Sequence, residues 1–330
     1  MNNTNNCSQT IVETENLCQY FTVPIGGLKS GTLKALDGVS LKIFRGEVLG
    51  VVGESGCGKT TLGRSILHLY KPSSGRVLFC NMVVGDELPL PELRRRAAMV
   101  FQDPYSSLDP RMTVADIIGE PLDVQGLCNS REERRDKILS LMRRVGLNRE
   151  HSERYAHEFS GGQRQRIGIA RALATEPEFI VCDEPVSALD VSIRAQIINT
   201  FASLRDELSL TYLFIAHDLL VVRHISDRIA VMYLGRIVEI GKSEDVYKNP
   251  LHPYTKALIS SVPIPDPKSA RKARRIILPG EPPSPMSTPS GCAFAPRCPY
   301  ARRICREGEP HLTEVASGHS VRCCRAAEIN

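Results

Sequence analysis

The chain has 330 residues, of which 42% are apolar and 24% are charged, and its formal net charge at pH 7 is +5. This length allows one large domain or two, and the mild positive charge does not indicate a nucleic-acid partner. The first nine residues lack the apolar core of a secretory signal. No segment approaches the roughly 18 uninterrupted apolar residues of a membrane helix. The sequence therefore predicts a cytosolic chain that reaches a membrane only through a partner.

A strand, a glycine-rich turn and a helix are the first clearly predicted elements. The apolar run 48–52 is typical of a buried strand, and a helical stretch runs from Lys59 to about Leu69. Between them, residues 53–60 fit the phosphate-loop pattern G-x-x-x-x-G-K-[ST]. In that pattern backbone N–H groups surround the phosphates, Lys59 reaches the β- and γ-phosphates, and the Thr60 hydroxyl binds Mg²⁺. The predicted nucleotide-binding residues are Gly53, Ser55, Gly56, Cys57, Gly58, Lys59, Thr60 and Thr61.

Two helices follow in the middle of the chain. Residues 131–145 carry apolar side chains on one face and predict an amphipathic helix. A second helix is predicted from Gln163 to Ala174, and Ser160-Gly161-Gly162-Gln163 stands at its start. Ser160 and Gln163 have the spacing of a capping box, while Gly161 and Gly162 permit close approach to the backbone. Such a helix N-terminus favours a negatively charged ligand.

Two further buried strands end in polar residues. Phe179–Cys182 is followed by Asp183 and Glu184, and Tyr212–Ala216 is followed by His217, with a helix at 192–208 between them. Strands that alternate with helices predict a parallel α/β sheet, and ligands in such folds bind beyond the carboxyl ends of the strands. Asp183 suits a second Mg²⁺ contact, and Glu184 can orient or deprotonate the attacking water. His217 is either a contact to the γ-phosphate or a structural histidine.

Taken in order, these motifs resemble those of the ATP-binding cassette ATPases over roughly residues 12–250. Phe159 stands where leucine usually precedes the signature serine. The resemblance implies a phosphate-loop α/β nucleotide-binding domain with a helical subdomain at about 93–162 and an antiparallel β edge. The corresponding motifs are the phosphate loop (53–60), the glutamine loop (Gln102), the signature (160–163), the Walker B strand (179–184), the D-loop (Ser187–Asp190) and the switch histidine (His217).

The resemblance also implies how these residues act. Two cassettes close head to tail on ATP, so that the signature of one chain serves the nucleotide of the other. Asp190, in the D-loop, is a further implied nucleotide-binding residue. Glu184, His217 and Gln102 are the implied catalytic residues, and Thr60, Gln102 and Asp183 are the implied Mg²⁺ contacts. An aromatic side chain stacks on adenine in this family; Phe21 is the choice by position, with Tyr20 as the alternative.

Three further segments resemble the ATPases of dipeptide, oligopeptide and nickel importers, and most of all the second ATPase of the pair in such importers. They are 101–110, 249–255 and 280–285. The implied partners are a second homologous ATPase, two transmembrane permease subunits and an extracytoplasmic solute-binding protein. The implied location is peripheral, on the cytoplasmic face of the inner or plasma membrane. A soluble cassette ATPase of DNA repair or translation, a nickel importer and a non-catalytic iron-binding regulator are the alternatives.

Eleven cysteines occur in the chain, and five of them follow residue 290. Cys292, Cys298, Cys305 and Cys323 lack the C-x2-C pair of a zinc ribbon, and four thiolates suit a [4Fe–4S] cluster. The surrounding sequence resembles the tail of dipeptide-importer ATPases, which carry such a cluster; zinc or unliganded thiols remain alternatives, as does Cys324 in place of Cys323. The expected domains are 1–262 for the cassette, 263–290 for a proline-rich linker and 291–330 for a cysteine-rich module.

Overall fold

The computed structural model describes residues 9–26, 29–262 and 275–329. The chain forms two compact units, each assembled from separate stretches of sequence. Among the described residues, the first unit contains 9–11, 43–48 and 79–215, and the second contains 12–26, 29–42, 49–78, 216–262 and 275–329. The three domains expected from the sequence remain a prediction, and residues 263–274 of the expected linker lie outside the described residues.

The described residues contain strands, α-helices and short 3-10 helices. The strands are β1 (Thr10–Gly26), β2 (Lys29–Phe44), β3 (Val48–Val52), β4 (Ser74–Phe79), β5 (Met82–Val83), β6 (Ala97–Val100), β7 (Phe179–Asp183), β8 (Thr211–Ile215), β9 (Arg228–Tyr233), β10 (Arg236–Lys242), β11 (Thr313–Ala316) and β12 (His319–Val321). The α-helices are α1 (Lys59–Ile66), α2 (Leu90–Arg96), α3 (Val114–Val124), α4 (Arg131–Arg144), α5 (Gly161–Leu173), α6 (Val191–Leu208), α7 (Leu219–Ile225), α8 (Ser243–Lys248), α9 (Pro253–Ser260), α10 (Ile304–Glu307) and α11 (Ala326–Ile329). The 3-10 helices are Arg149–His151, Ala156–Glu158 and Ala295–Arg297.

Parallel strands form the centre of the first unit. Strand β6 pairs with β7, and β7 pairs with β8, both in parallel. Every residue of β7 and β8 is buried, which agrees with their continuous apolar sequences. The strands predicted at 179–182 and 212–216 and the helices predicted at 131–145, 163–174 and 192–208 are therefore confirmed within one or two residues.

Side-chain caps define the helices of the region where the helical subdomain is expected. The Thr113 hydroxyl accepts a hydrogen bond from the Asp116 N–H at the start of α3. The Ser130 hydroxyl accepts one from the Glu133 N–H at the start of α4. Each cap satisfies an N–H group that has no partner inside its helix. Helices α3 and α4 both pack against α5, and this packing supports the helix that carries the signature.

The second unit combines parallel and antiparallel pairing. Strand β3 pairs in parallel with β9, whereas β9–β10, β10–β12 and β12–β11 are antiparallel. A second sheet of this unit has the order β2–β1–β4. Because β12 pairs directly with β10, the cysteine-rich tail extends the sheet of this unit. A separate cysteine-rich module is therefore not confirmed, while the α/β class and an antiparallel edge are.

Candidate active site

The phosphate loop connects β3 to α1 in the second unit, and two of its glycines are sterically required. Gly58 has a φ of +106°, and a Cβ there would lie 2.3 Å from the carbonyl oxygen of Ala35. A Cβ on Gly53 would lie 2.2 Å from the carbonyl oxygen of Met232. Since neither backbone oxygen can move as a flexible side chain can, only glycine fits at these two positions.

The ammonium group of Lys59 lies against the loop itself. Lys59 is 5% exposed, and its Nζ donates to the carbonyl oxygens of Gly53 at 2.9 Å and Glu54 at 3.1 Å. Phosphate oxygens carry charge and are stronger acceptors than these carbonyl oxygens. The ammonium is therefore held close to the loop but can exchange its acceptors when an anion binds. Ser55 and Gly56 are exposed, and Thr60 and Thr61 are half-buried at the start of α1.

A cavity of about 320 Å³ in the second unit is lined by both the phosphate loop and the predicted switch histidine. Gly53, His217 and Asp218 are among its lining residues. His217 is exposed, and the carboxylate of Asp218 accepts the Leu220 N–H at 2.9 Å, which caps α7. The structure thus brings His217 to the same cavity as Gly53, although the two residues are far apart in sequence.

The first unit brings Gln102 and Glu184 together. Gln102 is exposed after β6, and its Nε2 donates to Oε2 of Glu184 at 3.0 Å. Glu184 directly follows Asp183, which is fully buried at the end of β7. The φ of Glu184 is +44°, and its N–H donates to the carbonyl oxygen of Ile215 at 2.9 Å. A left-handed backbone at a residue other than glycine is costly and is concentrated at functional sites.

The predicted capping box of the signature is confirmed. The Ser160 hydroxyl accepts the Gln163 N–H, and Gln163 Oε1 accepts the Ser160 N–H at 3.1 Å. A Cβ on Gly162 would lie 2.4 Å from Cγ2 of Ile193, whereas one on Gly161 would meet its nearest neighbour at 3.4 Å. Gly162 therefore serves close packing against α6 within this unit.

The D-loop of the first unit leads directly into α6. Asp190 caps this helix through its backbone: its carbonyl oxygen accepts the Arg194 N–H at 2.8 Å. The residue itself is exposed. Its side chain is thus available to solvent at the start of the helix against which Gly162 packs.

Tyr20 and Phe21, the two candidates for the adenine contact, occupy adjacent positions of β1 and so point to opposite faces. The hydroxyl of Tyr20 donates to the Asp37 carboxylate at 2.6 Å. Burial and this hydrogen bond raise the pKa of Tyr20 well above its usual range. Phe21 is half-buried and packs edge-on against Tyr70 with ring centroids 5.4 Å apart. Phe21 has no polar anchor of this kind, and its stacking role stays a prediction.

The cysteines of the tail gather around one small cavity. Burial raises the pKa of Cys292 to about 11, and the thiols of Cys305 and Cys324 lie 3.8 Å apart. Among the described residues, no three side chains of His, Cys, Asp or Glu are arranged to share one metal ion. The cysteines that line the cavity are Cys292, Cys298, Cys305, Cys323 and Cys324.

Two residues that contact the phosphate loop escaped prediction from the sequence. The Tyr254 hydroxyl accepts the N–H of Glu54 at 2.8 Å, and Arg297 contacts the Glu54 carboxylate at 3.0 Å. Tyr254 falls in the segment 249–255 and Arg297 lies between two of the predicted cysteine ligands. Both residues therefore lie in segments that the sequence analysis had singled out, but neither segment indicates a contact with Glu54.

The chain matches two family models. A model described as "ABC transporter" matches residues 36–187. One described as "Oligopeptide/dipeptide transporter, C-terminal region" matches residues 238–305. An ATP-binding cassette solved as a dimer in a post-hydrolysis state with ADP and Pi superimposes with a TM-score of 0.63 at 30% identity, covering 71% of this chain and 99% of that one. The structure of cbiO1 from Clostridium perfringens, described as part of an ABC transporter complex, superimposes with a TM-score of 0.63 at 28% identity. It covers 73% of this chain and 92% of that one.

Several curated proteins similar to this chain are named as peptide transport or import ATP-binding proteins. Oligopeptide transport ATP-binding protein AppF of Bacillus subtilis is 51% identical over 96% of this chain and 97% of its own length. OppF of the same organism is 54% identical over 81% of this chain and 87% of its own length. A putative peptide import ATP-binding protein of Brucella ovis is 52% identical over 90% of this chain and 93% of its own length. The chain therefore belongs to the ATP-binding cassette ATPases of ABC transporters. Within that family it groups with the ATP-binding subunits of oligopeptide transporters.

Proposed function

We propose that the chain binds and hydrolyses ATP to power the import of di- or oligopeptides through an ABC transporter. The observation that carries the hydrolytic role is the contact of Gln102 with Glu184 at the end of β7. It joins the two residues expected to handle Mg²⁺ and water in the first unit. The names of the relatives and the match to an oligopeptide/dipeptide transporter region support peptides as the cargo.

Each motif has a proposed role in hydrolysis. Phosphoryl transfer needs positioning and charge stabilisation more than covalent catalysis. Lys59 binds the β- and γ-phosphates, and Thr60, Gln102 and Asp183 serve Mg²⁺. Glu184 orients the attacking water and accepts its proton, and His217 contacts the γ-phosphate. Phe21 stacks on adenine.

The proposed assembly contains more than this chain. Ser160–Gln163 and Asp190 act on ATP held by a second, homologous ATPase subunit, and that subunit's signature acts on ATP at Lys59. Two permease subunits provide the path across the membrane, and an extracytoplasmic binding protein supplies the peptide. No helix among the described residues is both long and apolar enough to span a membrane. The proposed location is peripheral, on the cytoplasmic face of the membrane.

Uptake in living cells tests the proposed cargo. We expect deletion of the gene to abolish uptake of a radiolabelled tripeptide but not of nickel. The wild-type gene should restore peptide uptake, and a Lys59→Ala variant, which lacks the phosphate-binding ammonium, should not. Loss of nickel uptake with unchanged peptide uptake would refute the proposed cargo but leave the ATPase role intact. Absence of ATP hydrolysis by the assembled wild-type transporter would refute the ATPase role as well.

A [4Fe–4S] cluster held by Cys292, Cys298, Cys305 and Cys323 is the proposed occupant of the cysteine cavity. It is supported by the convergence of these thiols on one cavity. Each cysteine of such a cluster binds a different iron, so the thiols need not share one ion. When bound, the cluster would supply a rigid cross-link between the segments that carry these cysteines.

Iron and sulfide analysis of anaerobically purified protein tests the cluster. We expect about four iron atoms per chain and broad visible absorption. Cys298→Ser and Cys323→Ser should lower the iron content, whereas Cys128→Ser, outside the cavity, and Cys324→Ser should not. Colourless protein with bound zinc would refute the cluster. Iron loss in Cys324→Ser but not in Cys323→Ser would identify Cys324, and not Cys323, as the fourth ligand.

A further inference from the structure

An arginine from the cysteine-rich tail forms an ion pair with the phosphate loop. Arg297 ends the 3-10 helix Ala295–Arg297, in the short stretch between Cys292 and Cys298. It is 7% exposed, and its Nη1 lies 3.2 and 3.0 Å from the two carboxylate oxygens of Glu54. Glu54 is the second residue of the phosphate loop, so the tail reaches the loop with a buried cation.

Glu54 is held at three points. Its carboxylate meets Arg297, its N–H donates to the Tyr254 hydroxyl at 2.8 Å, and its carbonyl oxygen accepts from Lys59 at 3.1 Å. Tyr254 is fully buried and belongs to an aromatic cluster with Tyr233 and Phe294. Its ring centroid lies 4.7 Å from that of Tyr233 and 5.5 Å from that of Phe294. These contacts fix the backbone and the side chain of Glu54 together.

The negative charge of Glu54 lies within the loop proposed to bind phosphates, and Arg297 lies beside it. A carboxylate within a loop that binds phosphates repels those phosphates unless a cation neutralises it. Arg297 is that cation, and its buried guanidinium also faces Tyr233. Burial raises the pKa of the Tyr233 hydroxyl, and the adjacent Arg297 opposes that rise. The arrangement keeps an acidic side chain in the loop while cancelling its charge.

We propose that Arg297 is a positioning residue for ATP binding: it neutralises Glu54 and ties the phosphate loop to the cysteine-bearing segment 292–298. This inference rests on the proposed role of the loop in ATP binding. Phe294 and Arg297 both lie in that segment and both contact partners of Glu54 or Glu54 itself. The conformation of the segment therefore influences how tightly the loop binds the nucleotide.

Equilibrium titration of the purified full-length chain with Mg-ATP, Mg-ADP and adenosine tests this proposal. We expect Arg297→Gln to weaken ATP binding about tenfold, ADP binding less, and adenosine binding not at all, because the unpaired Glu54 carboxylate repels phosphates in proportion to their charge. Arg297→Lys should recover part of the affinity. Glu54→Gln combined with Arg297→Gln should return the ATP affinity to within about twofold of wild type, since it removes the repelling charge.

Arg325→Gln is the matched control. Arg325 is also a buried arginine of the tail, 8% exposed, but it bonds to the carboxylate of Glu328 and the carbonyl oxygen of Tyr300 rather than to the loop. We expect its ATP affinity to equal that of wild type.

Three results would overturn the inference while wild-type protein still binds ATP: unchanged affinity in Arg297→Gln, equal losses for ATP and adenosine, or no recovery with Glu54→Gln. If Arg297→Gln does not fold, Arg297→Lys and the double variant give the same comparison. Failure of the wild-type protein to bind ATP would refute the proposed function instead.

Discussion

The two units hold their predicted active-site residues by different means. In the first unit, Glu184 and Gln102 contact each other at the end of a strand, and Gln102 is exposed. In the second unit, the backbone of the phosphate loop is held by buried groups, among them Lys59 and Tyr254. This difference indicates that changes at Glu184 and Gln102 should act mainly on the rate of hydrolysis. Changes around the loop should act on nucleotide affinity and on stability.

The largest expected effect is that of a substitution at Glu184, which should lower the rate of ATP hydrolysis without changing the affinity for ATP. Glu184→Gln preserves the shape of the side chain but removes the base, so we expect ATP hydrolysis by the assembled transporter to fall about 100-fold or more. ATP affinity should stay within about twofold of wild type, because Glu184 is not a phosphate-binding group. The control is Glu207→Gln, at an exposed position of α6. Wild-type turnover in Glu184→Gln would remove this residue from the catalytic set.

A second prediction concerns packing beneath the signature. Gly162→Ala places a Cβ 2.4 Å from Cγ2 of Ile193. We expect the free energy of unfolding to fall by about 1–3 kcal/mol through overpacking. Gly161→Ala, with its nearest contact at 3.4 Å, is the matched control and should change stability by about 0.5 kcal/mol or less. Urea denaturation measures both.

Removal of the clashing side chain tests the cause of that loss. In an Ile193→Ala background, Gly162→Ala should cost almost nothing, because the Cβ then has space. An undiminished cost in that background would show that Gly162 is required for its backbone conformation and not for its contact with Ile193.

Contiguous motifs made one part of the site predictable from the sequence. The capping box at Ser160 and Gln163 involves residues three apart, and the phosphate loop lies within eight consecutive positions, so local spacing was sufficient. The contact of Glu54 with Tyr254 joins residues 200 positions apart. The two units also interleave along the chain. Such pairings depend on strand order and packing, which hydrophobic periodicity does not encode.

The smallest expected effect lies in the support of the phosphate loop and depends on pH. His252 is fully buried, and Nδ1 of its ring accepts the Tyr254 N–H at 3.1 Å, which caps the helix that carries Tyr254. Burial lowers the pKa of His252 to about 4, although nearby Glu239 opposes the shift. Below pH 6.5 the unfolded chain takes up a proton that the folded chain excludes. The contribution of neutral His252 to the free energy of unfolding is thus fully present above pH 6.5 and is lost as the pH falls toward 4.

We expect this residue to reduce the free energy of unfolding by about 1 kcal/mol between pH 7.5 and pH 5.5. His252→Asn keeps a capping acceptor but cannot titrate. The free energy of unfolding of this variant should therefore fall by about 1 kcal/mol less than that of wild type over this pH interval. His224→Asn, at an exposed histidine of α7, should keep the wild-type slope. Urea unfolding at the two pH values measures all three proteins. An equal slope in His252→Asn and wild type would mean that the buried histidine does not link acidity to the support of the loop.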